Sequence, residues 1–250
     1  MRHLCGRNGQ RAGGFTLLEL LVVIGIMGVL IALAVPGLSK ARTSAKDAAC
    51  LTRLRSLFVA HMTYLHDFER FPKMNKEDDD GNWQYNYLIF NGKENGLPGG
   101  QGAKRGKGVD ILFEHNFGPL MRYTKDIDDV EHTLFCPVQE DPYHRFGTPY
   151  NRWPVVVGMD LKAGYGRRYH LSGKTLAQIG RTIGMAADVF HLPKMVKSGH
   201  KTGVNAVYTD GHGRWVKDSG DLADNDLSDP FDRVGNAIIK DLWEKVDGAQ

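Results

Sequence analysis

Cysteine is scarce in this chain of 250 residues: there are three, Cys5, Cys50 and Cys136. No two of them form a CxxC pair, and none has metal-knuckle spacing. Acidic residues are missing from the first fourteen positions, where Arg2, Arg7 and Arg11 stand. Beyond that segment Lys+Arg and Asp+Glu balance at 29 each. The formal charge of +3 therefore belongs to the N-terminal segment and gives no ground for a nucleic-acid surface. The glycine run from Gly99 to Gly108 lacks a Gly-Lys-Ser/Thr ending and a preceding strand, so it reads as a loop and not a phosphate cradle. Asp78-Asp79-Asp80-Gly81-Asn82 lacks the closing glutamate of a calcium loop and reads as a solvated turn. No Ser or Cys nucleophile motif accompanies the histidines.

A long apolar run is present. From Phe15 to Val35 only Thr16 and Glu19 are clearly polar, over twenty-one residues. About 20 residues of helix cross the hydrocarbon layer of a membrane. The short basic flank before the run should stay in the cytoplasm and the rest of the chain should lie outside. A secretory signal peptide has a shorter apolar stretch, about 7–15 residues, with small residues at its cleavage site. Ala32 and Ala34 keep that reading open. A plain anchor that retains its leader is a further alternative. Glu19 sits inside the apolar run, where a carboxylate needs a partner or water. Gly25 and Gly28 permit close helix approach. Pro36 lacks an N–H and should bend or locally melt the helix near the membrane exit.

Apolar residues then recur every three or four positions, at 38, 41, 45, 48, 51, 54, 58, 62 and 65. This predicts an amphipathic continuation of the same helix over roughly 15–67, stopped by Phe71-Pro72. At 1.5 Å per residue it would be about 80 Å long. The remaining residues form a head. Leu134-Phe135-Cys136-Pro137 and Trp153–Gly158 read as strands, and 174–187 as a short helix interrupted by Gly180 and Gly184. Asp210-Gly211 reads as a hairpin turn, with Val204, Ala206 and Tyr208 on one face of the preceding strand. Val234, Ile238, Leu242, Trp243 and Val246 have helical spacing. Cys50 and Cys136 are either one disulfide or two separate thiols, with Cys50 on a helix face. His200, Asp210 and His212 are groups that could hold a metal, against the simpler reading of a solvated hairpin whose aspartate caps the turn. Asp224, Asp226 and Ser228 mimic the opening of a calcium loop, but Asp229 stands where its turn glycine belongs.

Gly14-Phe15-Thr16-Leu17, Glu19, the apolar run and Pro36 resemble the cleavage and methylation signal of the type IV pilin and type II secretion pseudopilin superfamily. The resemblance implies cleavage after Gly14 by a prepilin peptidase, methylation of the new Phe15 amine, and guidance of subunit packing by Glu19. It implies an α+β, pilin-like fold: a long N-terminal helix, half transmembrane and half amphipathic, packed on an antiparallel β-sheet head. The expected divisions are a leader over 1–14, a membrane helix over 15–35, its continuation and junction over 36–72, and a head over 73–250. The Tyr64–Pro72 junction is similar to that of pseudopilins. Cys136-Pro137 and the His200, nine residues, Asp210-Gly211 pattern resemble large-headed pilin-like proteins of planctomycetes and related bacteria, with no chemistry attached.

The role that follows is a structural, non-catalytic subunit of a type II secretion pseudopilus or type IV pilus-like filament. Its expected partners are the peptidase, other pilin or pseudopilin subunits, an assembly ATPase and an inner-membrane platform protein. Nucleic acid is not among them. The expected location is the bacterial inner membrane, single-pass, with the head in the periplasm. No cofactor is expected, although calcium in a C-terminal head loop of major pseudopilins gives Asp224, Asp226 and Ser228 a family reason. Three alternatives stay open: an anchored head with a ligand-binding or metal-dependent enzymatic role, a DNA-uptake minor pilin, and an anchored protein that never assembles.

Overall fold

A computed structural model of the chain describes residues 16–73, 88–90, 117–123, 132–152, 161–190, 193–220 and 233–248. The chain divides into two compact units, Met1–Ala45 and Lys46–Gln250. Helix α1, Leu17–Phe68, runs from the first into the second.

In the first unit α1 opens with a capping box. The Thr16 hydroxyl accepts from the Glu19 N–H at 3.2 Å, and Glu19 Oε2 accepts from the Thr16 N–H at 2.9 Å. Two backbone donors that the helix start would leave unpaired are thus satisfied reciprocally. The large apolar side chains from Leu17 to Leu38 are exposed, Leu17 at 87% and Leu33 at 75%. Apolar side chains all round a helix call for surroundings that are themselves apolar. The segment is a candidate membrane span, with a mean hydropathy of 2.8 over its most apolar window. Pro36 lies inside α1 and does not end it.

The second unit is layered around a four-stranded antiparallel sheet of order β3-β4-β5-β6. Its strands are β3 (Tyr165–Arg167), β4 (Gly184–Asp188), β5 (Gly203–Tyr208) and β6 (Gly213–Lys217). A separate two-stranded antiparallel ladder joins β1 (Leu88–Phe90) to β2 (Leu161–Lys162). Every residue of β4 and β5 is buried. An antiparallel sheet usually leaves one face to water, and here helices cover both. Cys50, Leu54 and Leu57 of α1 pack in one apolar cluster with Tyr165, Met185 and Val207. Val204, Ala206 and Tyr208 of β5 share the other cluster with Ile239, Leu242, Trp243 and Val246. The latter four lie on the C-terminal helix Arg233–Gly248. The strand's period of two thus sends alternate side chains to different helices. The common face expected for Val204, Ala206 and Tyr208 is the one that meets the C-terminal helix.

Two local expectations are corrected. Leu134–Pro137 is not a strand: 132–134 make a helical turn, and Gln139 N–H donates to Cys136 O at 3.2 Å in the turn that follows. Pro137 has no N–H to give a ladder. Among the described residues the segment meets its neighbour through the backbone bond from Gly164 N–H to Leu134 O at 2.8 Å. Residues 174–187 are not one helix. A Thr175–Gln178 capping box starts a single turn, α2 (Leu176–Ile179), and Gly180 ends it in the left-handed conformation at φ +68°. From Gly184 the chain is strand β4. Leu176, Ile179, Ile183 and Ala187 repeat at helical intervals, but the glycine breaks the helix before the last two. The strand expected at 153–158 falls outside the described residues.

Two buried histidines give the second unit a specific acid sensitivity. His61 Nδ1 is 2.8 Å from Leu57 O, and its ring lies about 6 Å from those of Phe71 and Phe117. Burial, helped by the Arg167 guanidinium, pushes its pKa down to about 3. His144 Nδ1 is 2.9 Å from Ala163 O, and burial pushes its pKa down to about 4. Both folded values lie below the ordinary value of 6.5. The unfolded chain therefore takes up the protons first as pH falls. Stability is lost from about pH 6.5 downward, by about 1.4 kcal/mol per pH unit per histidine, until the folded pKa is reached. Replacing His61 by Leu leaves no partner stranded, because Leu57 O belongs to the α1 ladder. Urea unfolding of His61→Leu between pH 7 and pH 5 should lose about 2 kcal/mol less stability than the parent chain. An equal loss in both would mean that His61 is not held neutral.

Candidate functional site

Two regions carry the candidate functional residues. The first is the start of α1. Glu19 Oε2 also accepts from the Thr16 hydroxyl at 2.9 Å, so its carboxylate is turned back over the helix N-terminus. A negative charge is favourable there, where the backbone N–H groups converge. The Ser/Thr-x-x-Glu signature of that box stands in the sequence as Thr16–Glu19. Gly14 and Phe15 lie outside the described residues.

The second region is a buried polar cluster in the head unit, assembled from four distant parts of the chain. Cys50 comes from α1 and Cys136 from the turn after residues 132–134. Asp188 ends β4, and His200 lies in the turn between α3 (Pro193–Ser198) and β5. One ligating atom from each of the four falls within 4.8 Å of all the others. Cys50 Sγ–H donates to Asp188 Oδ1 at 2.8 Å. Cys136 Sγ is 3.3 Å from His200 Nε2, and Asp188 Oδ2 is 3.2 Å from the same nitrogen. On the other side of the ring, His200 Nδ1 is 2.8 Å from Asp47 Oδ1. Asn205 N–H donates to Asp188 Oδ2 at 2.7 Å, and the Tyr165 hydroxyl donates to Cys50 Sγ at 3.4 Å.

Burial pushes the Cys50 thiol well up, reinforced by its bond to Cys136 and by the Asp188 charge. Burial likewise raises the Asp188 carboxyl. Burial alone would lower the His200 imidazole, but its bond to Cys136 and the charges of Asp188 and Asp47 outweigh it, and the pKa is pushed up to about 9. A group of acids out of water holds protons or a cation, since an unpaired buried charge is costly.

Cys50 and Cys136 are both free thiols and both belong to this cluster. Asp188, Asp47, Asn205 and Tyr165 gave no sequence signal. Their positions are separated by tens of residues, and no local spacing links them. Asp210 and His212 do not join His200. Asp210 Oδ1 accepts from the His212 N–H at 3.1 Å and meets His212 Nδ1 at 2.6 Å, at the turn after β5. The His212 ring stacks on Tyr208. His200 precedes β5 and Asp210 follows it. Six strand residues separate the two ends by roughly 20 Å. Asp210 caps its turn as expected, while His200 is buried and not solvated. Asp224, Asp226 and Ser228 lie outside the described residues.

The same geometry accounts for the His200, Asp210, Gly211 spacing. At one end of β5, His200 reaches Asp47 of α1. At the other, Gly211 adopts φ +88°, and a Cβ there would come within 2.9 Å of the Phe58 ring of α1. Only glycine tolerates both that conformation and that approach. The nine intervening residues therefore span one strand laid along about three turns of α1.

Residues 9–35 match the family described as the prokaryotic N-terminal methylation motif. The chain is similar to the type IV major pilin protein PilA of Myxococcus xanthus (strain DK1622), 32% identical over 71 residues, which cover 28% of this chain and 32% of that protein. It is also similar to the type II secretion system core protein G of Pectobacterium carotovorum subsp. carotovorum, 42% identical over 67 residues, 27% of this chain and 43% of that protein. The match thus spans less than half the length of either relative. No solved structure matches the chain significantly. The N-terminal part of the chain thus carries the prokaryotic N-terminal methylation motif and is similar to a type IV major pilin and to a type II secretion core protein.

Proposed function

We propose that the chain is a structural subunit of a type II secretion pseudopilus or type IV pilus-like filament, and that it performs no catalysis. The observation that carries this reading is the start of α1: a methylation motif, then an exposed apolar helix with a single carboxylate near its N-terminus. In the proposed sequence, a prepilin peptidase cuts between Gly14 and Phe15 and the new amine is methylated. The subunit waits in the inner membrane with its head in the periplasm. A cytoplasmic ATPase and a membrane platform protein then extract it, and its apolar helix packs among those of other subunits. Glu19 follows Phe15 by four positions in the sequence, a spacing that would put it in register for its own or a neighbour's positive charge. In an apolar bundle that pairing favours one axial offset between adjacent helices.

The relatives support a filament role, since one is named a major pilin and the other a core protein of type II secretion. The test is intact mass, with N-terminal peptide sequencing, of the chain purified from native membranes. The expected result is a chain beginning at Phe15 and carrying one added methyl group. A chain beginning at Met1 would overturn the processing step. A chain beginning beyond Ala32 would mean a released protein and end the filament reading.

A further inference from the structure

We propose that Cys50, Cys136, Asp188 and His200 bind one Zn2+ ion in a closed tetrahedral site that fastens α1 to the head sheet.

The geometry suits that ion. Zinc holds thiolate sulphur at about 2.3 Å and imidazole or carboxylate at about 2.0–2.2 Å in a tetrahedron. Such bonds place neighbouring ligand atoms about 3.3–3.8 Å apart. The cluster's contacts of 2.8, 3.2 and 3.3 Å, with all four atoms inside 4.8 Å, need only small side-chain rotations to match. The donor set also selects the metal. Two thiolates and an imidazole are soft to intermediate ligands, suited to zinc, whereas calcium and magnesium ask for oxygen alone. Two thiolates and one carboxylate over-neutralise a divalent ion by a single charge, within a site where every ligand side chain is buried.

The surroundings complete a second layer of contacts. Metal-bound histidines commonly give their other ring N–H to a carboxylate, which fixes the tautomer and points the free lone pair at the ion. Asp47 stands in that position at His200 Nδ1, leaving Nε2 facing Cys136 and Asp188. The Asn205 N–H holds Asp188 Oδ2, and the Tyr165 hydroxyl holds Cys50 Sγ. A small cavity lined by Cys136, Asp188, Met195, Gly199, His200 and Gly203 adjoins the cluster.

Four protein donors leave no coordination position for water or substrate, so the site is structural. Its ligands come from α1, the turn after 132–134, β4 and the turn before β5. One ion would cross-link all four. This inference rests on the cluster alone and stands or falls independently of filament assembly.

The test is metal analysis of the full-length chain purified from membranes in detergent without chelator. One zinc per chain is expected, falling to background in Cys136→Ser and in His200→Ala and persisting in His212→Ala. Because the first two variants could fail to fold, the parent chain is also produced in cobalt-supplemented medium. Thiolate-to-cobalt charge-transfer bands with intense tetrahedral d–d absorption are expected. Chelation should lower the thermal midpoint by about 10 °C, reversed by zinc. Three results would overturn the site: no bound zinc in the parent chain, cobalt bound without thiolate bands, or a mass two units low from a Cys50–Cys136 disulfide.

Discussion

Glu19→Gln is expected to cut incorporation of the processed subunit into filaments by at least about tenfold while its membrane level and head stability stay unchanged. The substitution separates two roles that meet in one side chain. Glu19 closes a capping box with Thr16, and glutamine fulfils the same part in such boxes. The helix start is therefore preserved and only the charge is removed. In the proposed filament, each methylated amine at Phe15 would then lie in an apolar bundle without its counter-ion. Breaking one side of such a pair is far more disruptive than replacing both. The measurement is quantitative immunoblotting of sheared filaments against the membrane fraction. Normal incorporation would show that Glu19 serves only as a helix cap. A lower membrane level would show that the cap or insertion, and not assembly, had been disturbed.

Trp243→Ala is expected to destabilise the head by about 3–5 kcal/mol, the range for truncating a fully buried aromatic residue. Trp243 is wholly buried, with its ring edge-on to Phe190 at 4.9 Å and the Arg168 guanidinium 5.7 Å away. A Cβ at Gly184 would come within 3.3 Å of this ring, so strand and helix are in close contact there. The same seam includes Asp247, whose carboxylate accepts from Arg168 Nη1 at 2.6 and 2.7 Å and from the Gly184 N–H at 2.8 Å. Domains are stable by only about 5–15 kcal/mol, so the loss is a large fraction of the total. Urea unfolding of purified protein should show the midpoint shift. A change below about 1 kcal/mol would mean that the C-terminal helix contributes little to the folded head.

The free thiols sharpen the reading of the head. Cysteine count and spacing suggested either a bridge or two unrelated thiols. The fold instead gathers both around one carboxylate and one imidazole. Spacing rules for metal sites work when ligands share a turn or a knuckle, because the chain itself then fixes their distance. Here the intervals are 86, 52 and 12 residues, and the distance is fixed by how α1 lies on the sheet.

Local sequence was sufficient wherever one element carried the information. The apolar run and the periodicity through Leu65 determined α1 nearly to its ends, because a helix is built from contacts three and four residues apart. Asp210-Gly211 determined the hairpin, because a turn needs a residue free of the Cβ restriction. Spacing at Leu242, Trp243 and Val246 determined the buried face of the C-terminal helix. The Gly14–Glu19 motif lies within the stretch that matches the N-terminal methylation motif. The tertiary structure alone decided that β4 and β5 are buried on both faces, that 174–187 divides at Gly180 into a helical turn and a strand, and that His200 sits apart from Asp210. It alone brought Asp188 and Asp47 to His200, because a site built from four separated segments exists only once the layers have packed.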